Sequence, residues 1–100
     1  MNLITQIVSE EKLRIEKMIF DYEQELAAFP KGTLVCKTVK NKQYYYLQFR
    51  EGKKTVSSYV GGNADTVDDL RERVNRRKHI EAMLKTLRSE YAQANKITGV

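Results

Sequence analysis

The sequence has no tryptophan, and only one proline, one histidine and one cysteine among its 100 residues. A lone thiol, Cys36, excludes a disulfide framework within the chain and suits a reducing cytoplasm, the location expected here. One proline and five glycines are too few for a low-complexity or linker-rich chain, and 41% hydrophobic residues are too many for a disordered one. Long apolar runs are also missing. Nothing approaches the ~20 residues of a membrane span, and Met1-Asn2-Leu3 opens no secretory signal, so no membrane partner is expected. Histidine, cysteine and acids nowhere take metal-ligand spacing, and Cys36 and His79 carry no local signature of a nucleophile and its base. The expectation is therefore a single domain without cofactor, metal, small-molecule substrate or catalysis.

What the chain does have is basic charge, unevenly placed. The net charge is +5. Residues 1–30 carry three bases against six acids, and residues 61–100 carry eight against six. Residues 31–60 carry seven bases against Glu51 alone, a net +6, together with four of the six tyrosines. A polyanionic partner would be met there.

The periodicity changes with the charge. Ile4, Val8, Ile15, Met18, Tyr22, Leu26 and Phe29 recur at spacings of three and four, with Glu11 as the polar break, which predicts a helix over 1–29 ending near Ala28 before Pro30. Ser9-Glu10-Glu11 also reads as an N-cap, which allows a break there. Thr33–Val39, Gln43–Arg50 and Lys54–Val60 are rich in β-formers and are joined by Lys40-Asn41-Lys42 and Glu51-Gly52-Lys53, so a three-stranded antiparallel meander over 33–60 follows. A second helix over 65–96 begins at Asp65 or Thr66, where Thr66-Val67-Asp68-Asp69 resembles a capping box. Its early stripe, Val67, Leu70 and Val74, and its later one, Ile80, Leu84, Leu87 and Tyr91, point in different directions, the first toward the sheet and the second toward the first helix. The fold class is α+β, in the order α-β-β-β-α, with the two long helices antiparallel. Arg77, at the handover between stripes, is expected to meet Glu11 as a register-setting ion pair.

Strand alternation puts Tyr45, Leu47 and Phe49 on one face, the better core face, and Tyr44, Tyr46 and Arg50 on the other. With Tyr59, and with Lys37, Lys40, Lys42, Lys53 and Lys54 along strand and turns, this second face forms a candidate nucleic-acid surface. Ammonium groups neutralise phosphates, and aromatic rings stack on bases. A plainer explanation is that tyrosines pair well across strands and turn lysines protect sheet edges. The run Arg71-Glu-Arg73-Val-Asn-Arg76-Arg77-Lys78-His79 spreads around its helix and reads as a solvated face. Gly61-Gly62 reads as a turn rather than a phosphate loop, because Asp65, Asp68 and Asp69 put negative charge where an anion would sit.

Pro30-Lys-Gly-Thr-Leu34, Tyr44-Tyr-Tyr-Leu-Gln-Phe-Arg50-Glu-Gly-Lys, Ser58-Tyr59-Val-Gly61, Leu70 and Arg76-Arg-Lys-His79 resemble a pattern in small uncharacterised proteins of bacteria and their mobile elements. The meander-then-helix order is similar to the arm-type DNA-binding domain of tyrosine recombinases, where a three-stranded sheet enters the major groove. The long helix before the sheet departs from that domain. Taken together, these features lead to the expectation of a small nucleic-acid-binding or accessory protein. The competing expectation is a protein-interaction module, either a homodimer through Tyr22 and Leu87 or an inhibitor covering a host defence nuclease.

Overall fold

A computed structural model describes residues 2–99. The order is α1 (Leu3–Leu26), β1 (Thr33–Val39), β2 (Lys42–Glu51), β3 (Lys54–Gly61) and α2 (Ala64–Thr98), so the α-β-β-β-α reading holds. α1 starts where the Asn2 side chain accepts the Thr5 N–H at 2.7 Å, and it runs through Ser9 without a break. It stops slightly earlier than the apolar stripe implies. The Ala28 N–H turns back to the Glu25 carbonyl at 3.0 Å, and Pro30 prevents the chain from continuing.

The chain packs as two compact units. One comprises the residues up to Ala28 and those from His79 onward. It is a helical hairpin whose buried side chains are Ile15 from α1 and Ile80, Leu84, Leu87 and Ala94 from α2. Lys12 donates to Thr98 at 3.3 Å, Tyr91 to Glu16, and Arg88 to Glu23 at 2.8 Å, so the two helices run antiparallel. Glu11, the residue expected to pair with Arg77, lies beside Gln93, Ala94 and Ile97 within this hairpin. Its carboxylate is taken by Arg14, one turn on in the same helix, and this hydrogen bond holds the carboxyl below its usual value. Burial of Leu87 in this hairpin also removes it from the expected dimer surface.

The other unit, Phe29–Lys78, contains the sheet and the first half of α2. Its strands pair antiparallel in the order β1-β2-β3. The first connection is two residues, Lys40 and Asn41, with φ of 52° and 66°, the backbone that suits a tight hairpin between twisted strands. Gly32 precedes the sheet with φ of 133°, and a Cβ there would stand 2.4 Å from the Gln48 carbonyl oxygen, so only glycine fits. Val67 and Val74 are the buried residues of α2 in this unit, as the early stripe requires. Arg77 donates to the Phe29 carbonyl at 2.9 Å.

The start of α2 corrects a second expectation. The cap is Asn63 rather than Thr66: its Oδ1 accepts from Asp65 N at 3.0 Å and Thr66 N at 3.3 Å. That oxygen takes the first free N–H groups, the ones an anion would need, so Gly61-Gly62 is a turn into a capped helix. Among the described residues no helix is long and apolar enough to cross a membrane.

Candidate nucleic-acid interface

The register decides which side chains meet. Within the sheet-bearing unit, α2 lies on the Tyr45 and Leu47 face: the Arg71 guanidinium is 5.9 Å from the Tyr45 ring centroid, and Leu34, Cys36 and Tyr45 share a cavity wall with Val74. By alternation, Lys42, Tyr44, Tyr46, Gln48 and Arg50 occupy the other face. From β1, Lys37 pairs with Tyr44, Val35 with Tyr46 and Val39 with Lys42. From β3, Tyr59 pairs with Tyr46. The ladder shifts just beyond that pair, so that Gly61 rather than Val60 faces Tyr45. Val60 is the extra residue of this bulge.

Three tyrosines therefore converge. The Tyr59 ring centroid is 5.4 Å from that of Tyr46 and 6.3 Å from that of Tyr44, tilted at 57° and 43°. The Lys37 ammonium sits 4.7 Å from the Tyr46 centroid. Tyr59 is thus the ring that meets both others, and Tyr46 lies between it and the Lys37 ammonium. Tyr59 is 60% exposed and is the most open of the three rings, and with Val39, Tyr44 and Tyr46 it lines a shallow concavity. Thr38, Asn41, Lys42, Gln43, Tyr44 and Gly62 line a polar cleft alongside.

Of the residues expected from sequence, Lys37, Lys42, Tyr44, Tyr46 and Tyr59 come together here. Arg50 is on the same face, but four residues along β2 from Tyr46, about 13 Å at the strand rise. Lys40 and Lys53 occupy turns at opposite ends of β2, roughly 30 Å apart by the same rise. Lys54 pairs with Glu51, which places it on the Tyr45 face, away from the cluster. Sequence reasoning passed over Val39, 53% exposed at the rim of the concavity. A two-residue rather than three-residue turn brings Val39 opposite Lys42, and that turn length was the signal.

A family described as a domain of unknown function, DUF6788, matches residues 8–72, and the chain belongs to it. That span holds most of α1, the whole sheet with all three clustered tyrosines, and the first turns of α2. Neither a curated protein nor a solved structure shows significant similarity to the chain.

Proposed function

We propose that this member of the family binds nucleic acid through the sheet face that carries Tyr44, Tyr46, Tyr59 and Lys37, as a small non-catalytic binding or accessory protein. One observation carries the reading: three tyrosine rings and an ammonium group meet on the side of the sheet that α2 leaves open within its unit. A strand with Tyr59 stacked against a base would run its phosphates past Lys37, Lys40 and Lys42. Arg50 and Lys53 would serve a longer strand. The order of sheet then helix resembles the recombinase arm domain and favours DNA, while α1 has no counterpart there.

Fluorescence anisotropy with single- and double-stranded DNA and RNA oligonucleotides, at several salt concentrations, tests this. If the three lysines nearest the tyrosines each neutralise one phosphate, log K against log salt should slope at about −2.7 on duplex DNA. Absence of binding to every probe at low salt refutes the proposal.

A protein-interaction reading has one observation in its favour. Leu13 and Phe20, two turns apart on α1, are 67% and 61% exposed. If they pair two copies, sedimentation should show a concentration-dependent dimer that Phe20→Glu abolishes. A monomer at all concentrations removes that reading.

A further inference from the structure

The opposite side of the sheet holds a second basic feature that the tyrosine face does not use. Arg71, Val74, Asn75 and Lys78 fall within an arc of about 100° on α2. They face Thr33, Leu34 and Cys36 of β1 and Tyr45 of β2 across a cavity of about 240 Å³. A helix seated on a sheet ordinarily fills such positions with apolar side chains. Here only Val74 does so, and two cations and an amide flank an open space. No carboxylate lines it. Asp68 holds one Arg71 nitrogen at 3.1 Å, and the Tyr45 ring lies 5.9 Å from the guanidinium, so Arg71 is oriented and keeps donors to spare. Lys78 has no carboxylate partner among the described residues.

We propose that this cavity is a binding site for a phosphomonoester, with the phosphate held by Arg71 and Lys78 and assisted by Asn75. A guanidinium gives paired donors to two phosphate oxygens, and an ammonium gives a point charge to a third. Leu34, Val74 and Tyr45 offer an apolar wall to the organic part. The volume lies below the roughly 300–1,000 Å³ of drug-sized pockets, which limits that part to about one sugar. The same chemistry is presented by a free sugar or nucleoside phosphate and by the phosphorylated end of a strand.

Cys36 supplies the assay, because it is the only cysteine in the chain, is exposed, and stands in the cavity wall. The full-length protein is alkylated with iodoacetamide, a neutral reagent, and the rate is followed by intact mass. Probes are ribose 5-phosphate, 5′-AMP and a short DNA strand with either a 5′-phosphate or a 5′-hydroxyl. Only unliganded protein reacts, so a probe at ten times its Kd should slow alkylation about elevenfold. Arg71→Gln with Lys78→Met, checked for folding by circular dichroism, should abolish the protection. Protection by the free phosphates alone identifies a small-molecule site. Protection by the phosphorylated strand but not by its hydroxyl twin identifies a strand end. Two results overturn the proposal: equal protection by both strands, and no protection by any probe at tens of millimolar. Protection should persist in Tyr59→Ala, so failure of this site and failure of the tyrosine surface are separately visible.

Discussion

Replacing Tyr59 by alanine should weaken oligonucleotide binding beyond anything that loss of folded protein explains. The ring is 60% exposed, so little apolar surface returns to water when it is removed. What the fold loses is the pair of tilted ring contacts at 5.4 and 6.3 Å, about 0.5–1.5 kcal/mol each at most. A ring that stacks on a base is worth about 1–3 kcal/mol, which converts to a loss of about 5- to 150-fold in affinity. The two effects separate by method. Anisotropy titrations give affinity at each salt concentration, and urea denaturation gives stability. Because Tyr59 carries no charge, the salt slope should stay that of the wild type. Lys42→Met should behave oppositely, with the slope falling by about 0.9 on duplex DNA. Affinity unchanged in Tyr59→Ala, or lost only in proportion to unfolding, would refute the assignment of this ring as a stacking platform.

Two further outcomes test the framework that holds the site. Gly32→Ala should destabilise the protein by about 1–3 kcal/mol from its dihedral alone, with the clash at 2.4 Å against the Gln48 carbonyl adding to it; an unchanged urea midpoint would show that the backbone there is free. Tyr91 predicts an alkaline signature: its hydrogen bond to Glu16, then burial, then the carboxylate charge, raise the phenol above its ordinary value. The unfolded phenol ionises near pH ~10, so the hairpin keeps this contribution below that pH and loses it as the pH climbs through the higher folded value. The Tm difference between wild type and Tyr91→Phe should be flat up to about pH 9 and shrink above about pH 10, and a difference that ignores pH contradicts the bond.

Element order was legible because each element announces itself locally. The α1 stripe, the three β-rich runs and the divided stripe of α2 all depend on residues within a few positions of one another, and Ile15, Val67, Val74, Ile80, Leu84 and Leu87 are buried as that periodicity requires. The caps were less legible. Asn63 and Thr66 are both good cap residues, and only the path of the backbone selects the first.

By itself, then, the sequence determined which residues could share a strand face, and that the basic charge would gather on the sheet, because alternation and composition are properties of the chain. Tertiary structure alone decided register. The left-handed pair Lys40-Asn41 set the first hairpin, the two-residue turn Gly52-Lys53 with Gly52 at φ 63° set the second, and together they carried Tyr59 to Tyr46, Val39 to the rim and Lys54 to the far side. The antiparallel alignment of the helices in their unit likewise brought Glu11 to Ala94, and the seating of α2 on β1 opened the cavity between Arg71, Lys78 and Cys36. Such alignments are set by hydrogen-bond ladders and side-chain packing across the whole unit, and a one-residue slip would turn every strand side chain to the other face.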